Sequence, residues 1–301
     1  MNEKKPDRVG QVFAALGKSV CYLALFLGMQ LAVMLPLIVS AISVAIIGES
    51  VVDEAVIQAF FSVDTMIFSL VSGLLTLAVV LVFYLIRRKK LSEALWLRPV
   101  PVPALLTAAS LAPGLYLVVT TGLVLLPEAW QDSYVEASSG IDSGTLAGVI
   151  AVAVVAPIVE EVIFRGLIMN RLARVMPGWL AVVLSAAAFG ACHGHPVWFT
   201  YAFVLGAVFG FIDLRVNSIL PSILGHVIFN TIGQIFSAIP ETEEGTEVLV
   251  AMGVLLVVAI VAALINRKGI AALFRKTSAA PVPASEQITE SKTYEYDPWD
   301  E

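Results

Sequence analysis

Two adjacent carboxylates and a guanidinium, Glu160, Glu161 and Arg165, stand inside an apolar run that begins at Leu146. Near the centre of a membrane helix each such charge costs about 2.5–3.5 kcal/mol, so a chain that keeps three of them needs them for something. On a helix Glu161 and Arg165 share a face, whereas Glu160 points about 100° away from Glu161. One carboxylate is then neutralised by the arginine and the other faces a different wall. Further along, the apolar runs hold His193, His226, Asn230 and Gln234. His226 and Asn230 lie on one helix face, and Gln234 continues it. A carboxylate, two imidazoles and an amide at one depth suit peptide hydrolysis by an activated water. In that chemistry Glu160 is the general base and His193 shares or orients the water. His226 and Asn230 donate to the oxyanion, and Glu161 with Arg165 holds the geometry. Glu160, His193 and His226 could instead bind zinc and leave a position for water. Spacing leaves both routes open.

Each of these groups also has a plainer use. Glu160, Glu161 and Arg165 could be an ion network that ties helices together. His226 and Asn230 could be an interhelical hydrogen-bond pair. His193 lies beside the break at Gly194–Pro196, and His195 reads as an exposed histidine at a helix end. Cys192 reads as a small buried residue, because spacing places no base beside it. Asp213 is expected to pair with Arg215 or to cap the end of its helix. No serine nucleophile with a paired base is evident.

Helices must carry these residues to one place. Of 301 residues, 58% are hydrophobic and 14% charged, against about 25% charged in a soluble domain. The composition therefore predicts an all-α polytopic membrane protein. Apolar runs long enough to span lie near 19–47, 66–86, 102–126, 146–166, 178–194, 197–214, 219–239 and 248–265, a bundle of about eight helices. The fifth and sixth runs are short and nearly continuous, so seven is the competing count. Charge favours eight. With eight spans all 18 Lys and Arg fall on one side, and the opposite loops 49–65, 127–145 and 240–247 hold none. The positive-inside rule then places both termini in the cytoplasm of an integral protein of the cell membrane.

The expected organisation is a cytoplasmic segment 1–18, three helices with an interfacial stretch over 19–145, site-bearing helices over 146–240, a last helix with its basic end over 241–276, and a disordered cytoplasmic tail over 277–301. Leu91–Pro103 is the interfacial stretch. The first apolar run is too long for a cleaved signal and reads as a retained span. Cys21 and Cys192 are too few for a disulfide frame. Gly206 and Gly210 form a small-residue pair suited to close helix packing, and Gly225 lets another backbone approach. Glu160 lies 17 residues before Pro177 and His193 16 after it. A hairpin turning at Pro177–Gly178 brings both to one level, about 24–26 Å from the turn.

In this order the motifs resemble the CPBP (ABI) family, the type II CAAX prenyl endopeptidases and their bacterial relatives. The matching residues are Glu160-Glu161-x-x-x-Arg165 within EEVIFRG, Phe189-x-x-x-His193, and His226-x-x-x-Asn230 with its approach LRVNSILPSILGHVIFN. The resemblance covers about residues 146–232. It implies an eight-helix intramembrane protease whose cavity opens to the cytoplasmic side. Glu160 and His193 would activate water, His226 and Asn230 would form the oxyanion site, and Glu161 and Arg165 would support them. The family is commonly labelled metalloprotease, while a glutamate-activated water without metal fits the same residues. The implied partners are membrane lipids and a prenylated or membrane-associated peptide, not nucleic acid. A non-catalytic immunity or adaptor protein could use the same pocket for binding. A transporter with a carboxylate proton relay is the weaker alternative, because no inverted repeat is present.

Overall fold

The computed structural model describes residues 8–47, 65–138, 145–239 and 246–275. These residues are helical and contain no strand. In chain order the helices are α1 (Arg8–Ile47), α2 (Thr65–Ile86), α3 (Leu91–Ala94), α4 (Val102–Val124), α5 (Glu128–Ser138), α6 (Leu146–Ala173), α7 (Gly178–Ala191), α8 (Pro196–Val216), α9 (Leu220–Ser237), α10 (Thr246–Ile265) and α11 (Arg267–Phe274). The protein is an all-α polytopic membrane protein. The expected tail 277–301, the first seven residues and most of the loops 49–65 and 240–247 lie outside the described residues.

Every apolar run of the sequence becomes a helix, but the eight are not equivalent. Six helices, α1, α2, α4, α6, α8 and α10, are long and apolar enough to cross a membrane. α7 has only 14 residues, and α9 is diluted by His226, Asn230 and Gln234. These two sit against the others and carry site residues. α7 packs on α8 and α6, and α9 packs on α4, α6 and α8. α1 and α2 cover the remaining side of α6, while α10 packs on α4. Outward faces of α1, α2 and α10 stay apolar and exposed, as a lipid-facing wall requires. α5 falls inside the expected loop 127–145. It is tied down by a hydrogen bond of 3.0 Å between Ser133 Oγ and His195 Nε2 and by an edge contact between Tyr134 and Trp198.

The stretch 91–103, expected to be interfacial, is anchored at its middle. Leu95 and Trp96 are buried in the core. The Trp96 carbonyl accepts from the Ile219 amide at 3.0 Å, and Ser218 Oγ donates to the Arg98 carbonyl at 2.7 Å. Asn170 Nδ2 donates to the Ala94 carbonyl at 3.3 Å. The strap thus fastens the end of α6 to the start of α9. Gly166 allows it: a Cβ there would lie 3.0 Å from the Leu95 carbonyl oxygen.

Gly225 makes the close approach expected of it. A Cβ would stand 2.7 Å from Ala108 Cβ and 2.9 Å from the Ala108 carbonyl carbon. Gly225→Val should therefore destabilise the bundle by about 1–3 kcal/mol through overpacking. A thermal melt in detergent reads this, with Gly122→Ala, which meets open space, as the neutral comparison. Equal melting of the Gly225→Val and native proteins would disprove the contact between α4 and α9.

Candidate active site

The site is built on a helix that is not uniformly α. Within α6, Ala151–Val155 and Glu161–Met169 are π-helical. There the amide of Ala156 reaches the carbonyl of Ala151, and that of Asn170 reaches Arg165. Such wide turns are rare and leave carbonyls poorly served by their own helix. In lipid those carbonyls need partners from elsewhere, and two polar side chains supply them. Asn230 Nδ2 on α9 donates to the Val152 carbonyl at 2.9 Å. Ser185 Oγ on α7 donates to the Phe164 carbonyl at 2.7 Å. Pro157 follows the first π segment, where a missing amide donor does least harm.

The junction at Glu160–Glu161 sets the geometry of the carboxylates. Glu161 turns to Arg165 and Glu160 away from it, yet one imidazole meets both, one at each ring nitrogen. His226 Nδ1–H donates to Glu161 Oε1 at 2.8 Å, and His226 Nε2 lies 3.6 Å from Glu160 Oε2. The first is a short charge-assisted hydrogen bond. The second is too long for a direct hydrogen bond. The two carboxylates differ in access: Glu161 is fully buried, while the Glu160 side chain is 19% exposed.

Arg165 is the largest fully buried side chain among the described residues. Its Nε stands 3.3 Å from Glu161 Oε2, and its guanidinium lies 4.5 Å from the Phe189 ring centroid. Stacking on an aromatic face is a role lysine fills poorly. Gly206 makes the room, since a Cβ there would be 3.1 Å from Arg165 Nη2. Gly210 likewise admits Met169 and Val182. The small-residue pair of α8 therefore serves close packing, as expected, and houses a charge as well.

Phe189 is the common floor. Its ring meets His193 edge-on at 4.8 Å and His226 at 5.8 Å. His193 Nδ1–H donates to the Phe189 carbonyl at 2.9 Å. A carbonyl can only accept, so the proton sits on Nδ1 and Nε2 is left as an acceptor. His193 is half-buried and makes no ion pair or hydrogen bond with Glu160 among the described residues. His195 is structural. It caps α8, with Nδ1 accepting from the Val197 amide, and holds α5. Cys192 is half-buried near Glu160.

Sequence reasoning misplaced Asp213. It pairs with neither Arg215 nor a helix end through its side chain. Its carboxylate is fully buried and faces Ser222, Glu161 and Arg165. Arg215 turns the other way and donates to the carbonyls of Leu273 and Arg275 at 2.6 and 2.8 Å. The available signal was helical spacing, because residues two apart do not face each other. The polar centre is therefore larger than the motif, with Glu161, Asp213 and Arg165 buried behind Glu160.

The zinc alternative fares poorly against this geometry. Among the described residues no three His, Cys, Asp or Glu side chains are grouped to hold a metal ion. His226 offers its nitrogens to two carboxylates, and His193 turns Nδ1 to the Phe189 carbonyl. A zinc ligand set would need nitrogens about 2.0–2.1 Å from one point. Glu160, His193 and His226 do not form that set.

No curated protein and no solved structure matches the chain significantly. A family match does cover the stretch that holds α6 to α9, and it takes in every motif residue described above. Over residues 142–232 the chain is similar to the family described as type II CAAX prenyl endopeptidase Rce1-like.

Proposed function

We propose that the protein is an intramembrane endopeptidase that cleaves a lipidated or membrane-associated peptide with a water activated by Glu160. The observation that carries this reading is the His226 bridge between a partly exposed Glu160 and a fully buried Glu161. Glu161, neutralised by Arg165, fixes the His226 ring through Nδ1. Nε2 is thereby aimed at the Glu160 carboxylate across a gap of 3.6 Å. A water bound on the exposed side of Glu160 gives its proton to that carboxylate as its oxygen attacks the scissile carbonyl carbon. His193 supports the water through the acceptor Nε2. Asn230 keeps a second amide N–H after its bond to Val152 and serves the oxyanion, joined by His226 Nε2 when the ring carries both protons. When the C–N bond breaks, the proton on Glu160 passes to the departing amine. No step passes through a metal.

The fate of the lysines and arginines supports a cytoplasmic basic end. Lys18, Arg87, Lys89 and Arg171 gather around one cavity. Arg215 and Lys268 line a second, and the 91–103 strap runs between them. By the positive-inside rule that end faces the cytoplasm, with both termini, in the cell membrane.

The test is cleavage of quenched peptides by the purified chain in detergent, with a prenylated peptide, the same peptide without its lipid, and a membrane-peptide library. The expected result is cleavage that survives chelation and dialysis. Binding without cleavage across the set would favour the adaptor reading. Activity lost on chelation and restored by zinc would overturn the metal-free mechanism.

A further inference from the structure

At the basic end, α1, α2 and the last turns of α6 enclose a cavity of about 220 Å³. Its walls include Lys18, Tyr22, Tyr84, Arg87, Lys89 and Arg171, and among the described residues no acidic side chain lines it. The tyrosines are tied together, Tyr22 Oη to Tyr84 Oη at 3.1 Å. Arg171 Nη2 donates to Tyr22 Oη at 3.3 Å, and its guanidinium lies 5.8 Å from the Tyr22 ring centroid. Arg171 Nε is buried and has no hydrogen-bond partner among the described residues. The arginine is thus held in place with donor capacity unspent. Four cations and two hydroxyls around one space suit a phosphate group.

The surroundings say which phosphate. The same helices present apolar side chains to the outside next to the cavity, with Val20 64%, Leu85 57% and Ile86 76% exposed. The cavity therefore opens where an apolar flank gives way to a cationic end, the level of lipid headgroups. Basic pockets between membrane helices are suited to anionic headgroups. It is separate from the candidate active site. Arg171 lies ten residues beyond Glu161 on α6, or about 15 Å at 1.5 Å per residue, with Leu167 and Ile168 buried between.

We propose that this cavity binds the phosphate headgroup of an anionic membrane lipid, with Arg171 at its base and Lys18, Arg87 and Lys89 at its mouth. The full chain, purified in neutral detergent, is titrated with short-chain phosphatidylglycerol, with phosphatidylcholine and with inorganic phosphate. Bound lipid is read by native mass spectrometry and stabilisation by thermal melting. Phosphatidylglycerol should bind and raise Tm, and phosphatidylcholine should not. The double variant Arg87→Gln/Lys89→Gln should weaken phosphatidylglycerol binding about 30-fold, at about 1 kcal/mol per cation. These side chains lie at the mouth, so the variant keeps its fold where Arg171→Gln would strain it. Lys90→Gln, whose partner is Glu93, should leave binding unchanged. Inorganic phosphate that displaces the lipid and stabilises equally would keep the phosphate site and change its source. Equal binding of both lipids, or a double variant that binds phosphatidylglycerol like the native chain, would overturn the proposal.

Discussion

Glu160→Gln is expected to remove peptide cleavage while leaving the fold intact. The change keeps the volume of the side chain and deletes only the basic oxygen. Loss of a general base costs about 10²–10⁴-fold in rate, and here the same group also delivers the proton to the leaving amine. Stability should scarcely move, within about 0.5 kcal/mol. The Glu160 side chain is partly exposed and its nearest partner, His226 Nε2, is 3.6 Å away, so it anchors nothing. Glu161→Gln should behave differently. It breaks the 2.8 Å bond to His226 and leaves Arg165 without its carboxylate, so activity and melting temperature fall together. The measurement is kcat on the quenched peptide beside a thermal melt of each variant. Native turnover in a folded Glu160→Gln protein would refute its role as base. Equal effects of the two glutamates on stability would refute their division of labour.

Much of this architecture is readable from residue order, for a physical reason. In a membrane the length of an apolar run and the position of its charges settle where helices start and stop. Each run became a helix, and α6 continues through Gly166 and Asn170 toward the Pro177–Gly178 turn as its pattern indicated. The grouping of Glu161, Arg165, His226 and Asn230 around α6 followed from the same logic of charges needing burial. What did not follow depends on helix pitch and on distant neighbours. An α-helical wheel separates Glu160 from Glu161, and that the two flank one imidazole depends on where α9 places His226. Nothing local marks a π turn except the polar side chains that serve it. Those, Ser185 and Asn230, come from other helices. Asn230 was read as an oxyanion donor, and one of its N–H groups is already committed to Val152. Asp213 was misplaced because its surroundings are contributed by residues from other turns and other helices.

Removing Arg165 should be the most damaging single change to the fold. Its guanidinium is fully buried between Glu161 and the Phe189 face, with Asp213 also turned toward it. Arg165→Leu leaves a buried carboxylate without its counter-charge, which costs about 3–5 kcal/mol. Arg165→Lys keeps the charge but gives up the flat stack on Phe189, so an intermediate loss is expected. The discriminating variant is the double change Glu161→Gln/Arg165→Met. It removes both charges and keeps roughly the same volume, so it should recover most of the stability lost by Arg165→Leu. Cleavage should stay absent in the double variant, because His226 no longer has an anionic acceptor to fix Nδ1. Chemical unfolding in detergent reads the first effect and peptide turnover the second. If Arg165→Leu melts like the native chain, Arg165 does not neutralise a buried Glu161. If the double variant regains activity along with stability, the pair matters only for packing and the orientation of His226 comes from elsewhere.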